Sequence, residues 1–275
     1  MSIAILFICT GKYEIFWDSF YNSCKEFFYP QEEKEFFVFT ESERIIKSKY
    51  KDVQSFYQIK TGWPYDTLLR FQWFMTIQDK LSHFDYCYFF NANTAFSGII
   101  RKDIIPFPDQ KEPLIFWCHP RAINDFTGDS FHPERNPLST AYVEIGSPCR
   151  CYGGGFFGGT SEAFVLMCKE LRDNIMKDLN NGIIAIWHDQ SHIIHYAITH
   201  PHKEVPAGLI SEEEYIQDIN QIKIIFMSKS RFGGNDSLRE ISTFKQIKNK
   251  TIHLIFKLFN KIKTTSRCFF QKKSS

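Results

Sequence analysis

The chain of 275 residues is long enough for one large α/β domain or for two small domains. Hydrophobic residues make up 43% and charged residues 23%, which excludes a disordered, collagen-like or coiled-coil protein. The net charge of +2 conceals an asymmetry, because residues 241–275 contain nine Lys or Arg and no acidic residue. The first 240 residues therefore carry 24 basic against 31 acidic side chains, which indicates an acidic domain, 1–240, followed by a basic tail, 241–275.

Short apolar segments alternate with helical segments along the first half of the chain. Strands are predicted over residues 3–9, 36–39, 56–59, 86–90 and 114–118. Helices are predicted over residues 15–28, 67–81 and 161–180. This alternation is typical of a mostly parallel α/β sheet. Residues 119–150 are rich in Pro, Asn, Ser and charge, and they predict a long irregular insertion of the kind that often carries function.

The sequence predicts neither a membrane-spanning segment nor a secretion signal. No apolar run reaches the length of a transmembrane helix. The apolar start lacks a basic region before it and a small-residue cleavage site after it, so we interpret it as the first core strand. Without a signal peptide, the eight cysteines are expected to be reduced thiols. Cys149 and Cys151 are closely spaced, but one such pair makes no metal site without further ligands.

The end of the chain predicts a basic amphipathic helix over residues 245–263. Ile252, Ile255, Phe256 and Phe259 share one face of this helix, and the lysines lie away from it. Such a helix can lie on an anionic membrane leaflet. The alternatives are a helix that binds a partner protein and a disordered basic end.

Asn91, Ala92 and Asn93 follow directly after the apolar strand 86–90. Ligands of open α/β folds bind at the carboxyl edge of the sheet, where such residues would lie. The alternative is a plain turn, because Asn is a common turn residue. Acidic residues at 91 and 93 would hold a divalent metal, whereas neutral amides are poor ligands for a hard dication, so no metal is expected here.

The glycine run 153–159 contains the pattern G-x-G-x-x-G, and a helix follows it. As a dinucleotide signal it is weak, because residues 149–152 are not a convincing strand and the run lies in mid-chain. The glycines do supply a backbone without side chains, against which a ligand can lie directly.

Residues 187–192 combine aromatic, basic and acidic side chains. His188 and His192 have the spacing of a zinc-binding helix, but the residue after His188 is Asp189, where such helices have Glu. The alternatives are a polar helix start and a sugar or phosphate site. In such a site Trp187 would offer a stacking face, and the carboxylate of Asp189 would accept hydrogen bonds from hydroxyl groups. The basic segment 229–235 is either a solvated loop or a clamp that neutralises a diphosphate.

Seven segments between residues 3 and 235, taken in order, resemble glycosyltransferase family 6, which includes the histo-blood-group A and B transferases. The matching segments are 9–13, 63–70, 89–93, 119–120, 134–137 with 141–142, 152–159 and 187–192. No single segment is decisive, but the ordered set is highly specific. Asn-Ala-Asn in place of Asp-x-Asp is similar to the bacterial branch of the family, whose members resemble metal-independent enzymes.

The resemblance implies a GT-A fold, in which a Rossmann-like sheet holds a nucleotide sugar without a divalent metal or other cofactor. The residues implied to bind the donor are Ile8, Cys9, Thr10, Tyr13, Arg70, Asn91, Ala92, Asn93, Gly153, Gly154, Gly155, Lys229 and Arg231. The residues implied to bind the acceptor are His119, His132, Trp187 and His188. Asp189 and Gln190 are implied to be catalytic. Lys229 and Arg231 would supply the positive charge that a leaving diphosphate needs.

The implied reaction is retaining transfer from a UDP-sugar to the 3-hydroxyl of a blood-group-like galactoside, with or without fucose, in surface glycan synthesis. Gly153 and Gly155 match positions that select the donor sugar. Glycine at both leaves room for an N-acetyl group, so UDP-N-acetylgalactosamine is expected in preference to UDP-galactose. The eukaryotic members carry an N-terminal anchor that this sequence does not show. We therefore expect a bacterial cytoplasmic enzyme whose basic tail contacts the inner membrane face, with no nucleic-acid partner.

Gln190 departs from the family pattern. The family has a Glu there that acts as the nucleophile or stabilises the oxocarbenium-like centre, whereas Gln is uncharged and cannot form a glycosyl-enzyme ester. Three interpretations of Gln190 are open. The chain is an engineered, activity-trapped variant, or it is a natural enzyme in which Gln190 only positions the acceptor for front-face transfer, or it is a weak homologue. Residues 204–214 also depart from the family's acceptor-binding segment. The alternatives from other classes are a non-catalytic carbohydrate-binding protein and a dinucleotide-dependent enzyme.

Overall fold

The computed structural model describes residues 1–216 and 218–240. The chain divides into two compact units, Met1–Ser228 and Lys229–Ser275. The first unit therefore ends before the boundary that the charge pattern places after residue 240. In the second unit, the described residues form a 3-10 helix, Lys229–Phe232, and one short α-helix. The amphipathic helix predicted over 245–263 lies outside the described residues.

A seven-stranded sheet forms the centre of the first unit, with a small three-stranded sheet beside it. The strands are β1 (Ser2–Ile8), β2 (Glu33–Thr40), β3 (Val53–Tyr57), β4 (Tyr86–Phe90), β5 (Thr94–Phe96), β6 (Leu114–Cys118), β7 (Tyr152–Thr160), β8 (His202–Glu204), β9 (Ile210–Glu212) and β10 (Ile224–Phe226). The large sheet has the order β3-β2-β1-β4-β7-β6-β8, and the small sheet the order β5-β10-β9. In the large sheet only the two pairings of β7 are antiparallel. The predicted mostly parallel α/β sheet of the GT-A type is confirmed.

The described α-helices are more numerous and mostly shorter than the three that the apolar pattern predicts in this part of the chain. They are α1 (Trp17–Phe27), α2 (Glu43–Ile46), α3 (Tyr65–Leu68), α4 (Arg70–Met75), α5 (Gln78–Leu81), α6 (Ser161–Asn180), α7 (Asp189–Thr199) and α8 (Gly234–Leu238). The helix predicted over 161–180 is confirmed as α6, whereas the start of the one predicted over 15–28 is a 3-10 helix, Gly11–Phe16.

The single helix predicted over residues 67–81 is wrong, because the chain there forms three short helices, α3, α4 and α5. The hydroxyl of Thr67 donates to the carbonyl of Pro64 at 2.8 Å, and that of Thr76 donates to the carbonyl of Trp73 at 2.6 Å. Such side-chain bonds compete with the regular helical ladder. Every helix in the described part of the chain is too short or too polar to span a lipid bilayer.

Phenylalanine rings fill both faces of the large sheet. On one face, the ring of Phe7 stacks on Phe20 of α1 at a centroid distance of 4.2 Å. On the other face, the ring of Phe74 of α4 packs at 5.5 Å from Phe89, and Phe157 packs at 5.9 Å from Phe164 of α6. The high phenylalanine content is therefore explained by a core that lies on both sides of one sheet.

The glycine run is a strand, β7, in the middle of the sheet, although glycine disfavours strands. Packing explains the difference. A Cβ atom at Gly158 would lie 2.2 Å from the ring of Tyr88, and one at Gly159 would lie 2.7 Å from the side chain of Leu114. Large side chains of the neighbouring strands thus occupy the space beside the glycines, which is a recognised role of glycine within a sheet.

Candidate active site

Four of the predicted donor and acceptor segments meet at one edge of the large sheet. Strands β1, β4 and β6 run in one direction, and β7 runs against them. Residues 8–10 at the end of β1, 91–93 after β4 and His119 after β6 therefore lie at the same edge as the first residues of β7. This is the edge at which ligands bind in open α/β sheets.

The turn after β4 is held by its own amides. The backbone N–H of Asn91 donates to the carbonyl of Gly155 at 2.8 Å, and its side-chain amide donates to Asn93 Oδ1 at 2.9 Å. The side-chain amide of Asn93 donates to the carbonyl of Met227 at 2.7 Å. Asn93 is buried, whereas Asn91 is only partly buried. Asn91 is therefore the side chain of this turn that is better placed to meet a ligand, and Ala92 is a buried spacer.

The segment after β1 is fixed to β2. The backbone N–H of Cys9 donates to the carbonyl of Phe39 at 3.0 Å, and the carbonyl of Cys9 accepts from the hydroxyl of Thr40 at 2.9 Å. Complete burial raises the pKa of the Cys9 thiol to about 12, so it stays protonated. Cys9 is therefore part of the core, and contacts to a ligand would come from Ile8, Thr10 and Tyr13 around it.

A buried ion pair joins α4 to the start of α7. The guanidinium of Arg70 lies 3.2 Å from Asp189 Oδ2 and donates to the carbonyl of Gly154 at 2.6 Å. Burial raises the pKa of the Asp189 carboxyl, and the charge of Arg70 opposes that rise. Asp189 Oδ2 is buried and has no hydrogen-bond partner among the described residues. This oxygen is held by the charge of Arg70 but makes no hydrogen bond there, and a ligand hydroxyl that donated to it would supply one.

The three glycines at the start of β7 face two different surroundings. A Cβ atom at Gly154 would lie 2.9 Å from Asp189 Oδ2, on the side of the ion pair. A Cβ atom at Gly153 would lie 2.4 Å from the ring of Trp117, and one at Gly155 would lie 2.9 Å from the ring of Phe226. The space that glycine leaves at 153 and 155 is therefore taken by two aromatic rings of the protein itself.

Gln190 follows Asp189 in the first turn of α7. Its side-chain amide lies 3.8 Å from the sulfur of Cys151, the residue before β7. A Cβ atom at Gly154 would lie 3.7 Å from Gln190 Cβ, so Gln190 borders the same space as the ion pair. The structure thus brings Arg70, Asp189 and Gln190 together around the glycine strand.

Among the predicted acceptor residues, the structure joins Trp187 to His132, whereas His119 contacts a different residue. The indole N–H of Trp187 donates to the carbonyls of Phe131 and His132 at 2.9 and 3.0 Å, which joins Trp187 to His132. His119 lies elsewhere, with its Nε2 at 3.6 Å from Glu212 Oε2. Trp187 is 43% exposed, so one face of the indole remains available to a sugar ring.

His188 and His192 do not form a metal pair. The ring of His188 lies 4.5 Å from that of Trp63, and His192 is buried with its Nε2 at 3.8 Å from Asp178 Oδ2. The described residues contain no group of three or more His, Cys, Asp or Glu side chains that converges on one point. In the part of the chain that the structure covers, the zinc interpretation therefore has no ligand set.

The sequence analysis did not select Trp117, Phe226, Glu212 or Trp63, although each contacts a predicted site residue. The rings of Trp117 and Phe226 lie 4.9 Å apart, and Trp117 lies 5.5 Å from the ring of His119. Glu212 ends β9 and begins an acidic run, which was the one available signal. Trp63 begins the segment 63–70 that resembles the family, whereas Trp117 and Phe226 lie in apolar runs, where their spacing alone does not distinguish them from core residues.

Lys229 and Arg231, the predicted diphosphate cations, belong to the second compact unit. Both lie on the 3-10 helix Lys229–Phe232, and the guanidinium of Arg231 is 6.0 Å from the ring centre of Phe232. Their assignment to the donor remains a prediction.

Known proteins similar to this chain were compared with it. The family "Glycosyltransferase family 6" matches residues 114–233. The O-antigen biosynthesis glycosyltransferase WbnI of Escherichia coli is 38% identical over 198 residues, which cover 71% of this chain and 82% of that protein.

Two groups of animal proteins are also similar. Histo-blood group ABO system transferase 1 of Rattus norvegicus is 37% identical over 90 residues, which cover 33% of this chain and 24% of that protein. Globoside alpha-1,3-N-acetylgalactosaminyltransferase 1 of Homo sapiens is 24% identical over 226 residues, which cover 79% of this chain and 61% of that protein. The residues matched by the family include β6, β7 and α7, where Asp189 and Gln190 lie.

Proposed function

Since the chain belongs to glycosyltransferase family 6, we propose that it transfers N-acetylgalactosamine from UDP to the 3-hydroxyl of a galactoside, with retention of configuration. Its acceptor is a surface glycan of the O-antigen type, in line with the similarity to an O-antigen biosynthesis glycosyltransferase of Escherichia coli. Donor, acceptor, linkage and stereochemistry are all parts of this proposal.

The observation that carries the proposal is the buried carboxylate of Asp189. One of its oxygens has no hydrogen-bond partner among the described residues and lies against the side-chain-free backbone at Gly154. The guanidinium of Arg70, 3.2 Å from this oxygen, favours the charged form of the carboxylate and fixes its orientation. A sugar hydroxyl that reaches past Gly154 would donate a hydrogen bond to the same oxygen, which supports placing the transferred sugar here.

The donor diphosphate needs positive charge as the bond to the sugar breaks. The turn at the sheet edge offers amides rather than carboxylates, and neutral amides bind a hard dication weakly. We therefore propose that Asn91 and Asn93 contact the ribose or diphosphate directly and that Lys229 and Arg231 supply the charge in place of a metal.

The rings of Trp117 and Phe226 occupy the space beside Gly153 and Gly155, so the room for an N-acetyl group that the sequence predicts there is filled by the protein itself. The proposed preference for N-acetylgalactosamine over galactose therefore rests on similarity to known proteins. The similarity to an N-acetylgalactosaminyltransferase of the globoside series supports the same donor.

Gln190 has no charge with which to stabilise a developing oxocarbenium-like centre. The adjacent residue, Asp189, supplies the carboxylate instead. Gln190 then orients the acceptor through its amide. Front-face transfer needs no glycosyl-enzyme ester, so it is the form of retention that suits this pair.

A donor and acceptor assay in the presence of chelator tests the proposal. UDP-N-acetylgalactosamine and UDP-galactose are offered with fucosylated and plain galactosides to the natural chain, to Gln190→Glu and to Asp189→Asn. We expect chelator-resistant N-acetylgalactosamine transfer by the natural chain. We expect a loss of about a hundredfold or more in Asp189→Asn, the scale of a lost charge contact at the reacting centre. Galactose transfer that needs added Mn²⁺ would overturn both the donor and the metal-independent mechanism.

A non-catalytic carbohydrate-binding protein is the second candidate, and Gln190 is the observation that favours it. Transfer that Gln190→Glu creates or multiplies would show that the scaffold is catalytic and would count against this candidate. If neither form transfers sugar while both bind a galactoside, the binding function replaces the transferase.

A further inference from the structure

Four polar side chains form a closed network beside the candidate active site. They are Arg150, Tyr152, His202 and Glu204, called here the Arg150 cluster. The guanidinium of Arg150 makes two bonds of 2.8 Å to the two carboxylate oxygens of Glu204. The hydroxyl of Tyr152 donates to Glu204 Oε1 at 2.6 Å and lies 2.7 Å from His202 Nε2.

Counting the protons in this network assigns the charge of His202. Glu204 is ionised, because its bonds to Arg150 and Tyr152 outweigh burial and hold its pKa below the usual value. The hydroxyl of Tyr152 donates its one proton to Glu204, so His202 Nε2 must donate to the Tyr152 oxygen. His202 Nδ1 lies 2.7 Å from the carbonyl of His200, which only accepts. Both ring nitrogens therefore donate, and His202 is an imidazolium.

The Arg150 cluster fixes the chain segment that contacts two site residues. Arg150 also donates to the carbonyl of Ile123 at 2.6 Å, and its guanidinium covers the ring of Phe126 at 4.3 Å. Between Arg150 and Tyr152 lies Cys151, whose carbonyl accepts from the backbone N–H of His119 at 2.8 Å. The sulfur of Cys151 is the atom 3.8 Å from the amide of Gln190.

We propose that the Arg150 cluster positions the acceptor side of the active site, with protonated His202 and Glu204 clamping residues 150–152 and, through Cys151, placing His119 and Gln190. The inference rests on the proposed function for the identity of the acceptor site. The four members are positioning residues, because none of them borders the ion pair of Arg70 and Asp189. Loss of the His202 side chain breaks one bond in the clamp and loosens the segment.

The charge of His202 is tested directly by nuclear magnetic resonance on protein with ¹⁵N-labelled histidine. The resonance is assigned by its loss in His202→Gln, and His83→Gln, a change at an exposed histidine, is the matched control. At neutral pH we expect both ring nitrogens of His202 to show the shifts of protonated nitrogen. A ring with one unprotonated nitrogen would overturn the proposal, whether or not the protein transfers sugar.

The positioning role is tested by comparing acceptor and donor constants. We expect acceptor KM to rise about tenfold in His202→Gln and in Arg150→Lys, which is the scale of one charged hydrogen bond. Arg150→Lys keeps the positive charge but loses the bidentate pairing with Glu204. Donor KM is expected to stay within about twofold.

The outcomes separate this inference from the proposed function. Equal losses for donor and acceptor, with a fall in melting temperature, would mean a merely structural cluster and would overturn it. Folded variants with unchanged acceptor KM would do the same. If no form of the protein transfers sugar, titration of a methyl galactoside replaces KM. A protonated His202 with weaker galactoside binding in His202→Gln then supports the cluster while the transferase proposal fails.

Discussion

At the scale of single residues, the ion pair of Arg70 and Asp189 dominates the chemistry of the candidate site. A buried pair of this kind contributes little net stability, because desolvation offsets the attraction. Its value lies in holding Asp189 Oδ2 against Gly154 and 3.2 Å from the Arg70 guanidinium, where this oxygen makes no hydrogen bond to the described residues. The free energy cost of leaving this buried oxygen without a hydrogen bond is offset only when a ligand donates one.

Gly153 provides a residue-scale prediction about packing. A Cβ atom there would lie 2.4 Å from the Trp117 ring, so Gly153→Ala is expected to lower the free energy of unfolding by about 1–3 kcal/mol. Urea unfolding measures the change. Trp117→Leu should recover part of the loss in the double variant, because the two changes share one space.

Gly98→Ala is the matched control for that experiment, because its Cβ would meet only the flexible end of Lys223. An equal loss in the control, or strict additivity of Gly153→Ala and Trp117→Leu, would contradict the packing explanation. The same double variant, assayed with both donors, shows whether the ring also limits the sugar that fits.

At the scale of elements, the first turns of α7 place side chains both at the candidate site and in the core. Asp189 and Gln190 face the glycine strand, whereas His192, three residues after Asp189, is buried near Asp178 of α6. The backbone of His188 has a positive φ of 55°, which starts the helix at the sharp turn that brings Asp189 to Gly154. One short helix thus joins the site to the core.

His192 predicts a pH dependence of stability. Burial lowers its pKa to about 4, against about 6.5 in the unfolded chain, although Asp178 opposes the shift. The unfolded chain therefore binds the proton more readily, so this stabilisation is present above pH 6.5 and is lost as the pH falls through 4. The full loss is about 3 kcal/mol.

Unfolding by urea at several pH values measures this contribution in the natural chain and in His192→Gln. The variant is expected to lose the slope between about pH 6.5 and 4, whereas His83→Gln, the exposed control, should retain it. A slope that is the same in all three proteins would show that His192 does not titrate on unfolding.

At the scale of the whole molecule, charge is unevenly distributed along the chain. The last 35 residues hold nine basic and no acidic side chains, while the first 240 residues are acidic on balance. Removal of residues 245–275 is expected to weaken binding to vesicles of anionic lipid, because each Lys or Arg near such a surface contributes about 1 kcal/mol.

Sedimentation with anionic and with neutral vesicles measures this binding, at low and at high salt. A variant with Lys257, Lys261 and Lys263 changed to Gln separates charge from the apolar face of the same segment. Unchanged binding after the deletion would remove the membrane role and leave the tail for a protein partner.

Sequence patterns predicted the class of fold and the location of the site better than its internal contacts. The apolar run that ends at Phe90 and the polar residues after it placed Asn91 at the carboxyl edge of the sheet. The break of the predicted helix 67–81 was not foreseen, because side-chain bonds to the backbone, such as that of Thr76, do not alter the apolar pattern.

The sequence by itself determined the family, the α/β sheet and the set of candidate residues, because these follow from local pattern and ordered motifs. Only the tertiary structure decided which of them meet. It placed the glycine run inside the sheet, set Asp189 against Gly154 and Arg70, and moved His192 into the core. It also filled the space at Gly153 and Gly155 with Trp117 and Phe226. Contacts between residues far apart in the chain depend on how the strands and helices pack, and no local spacing encodes that packing.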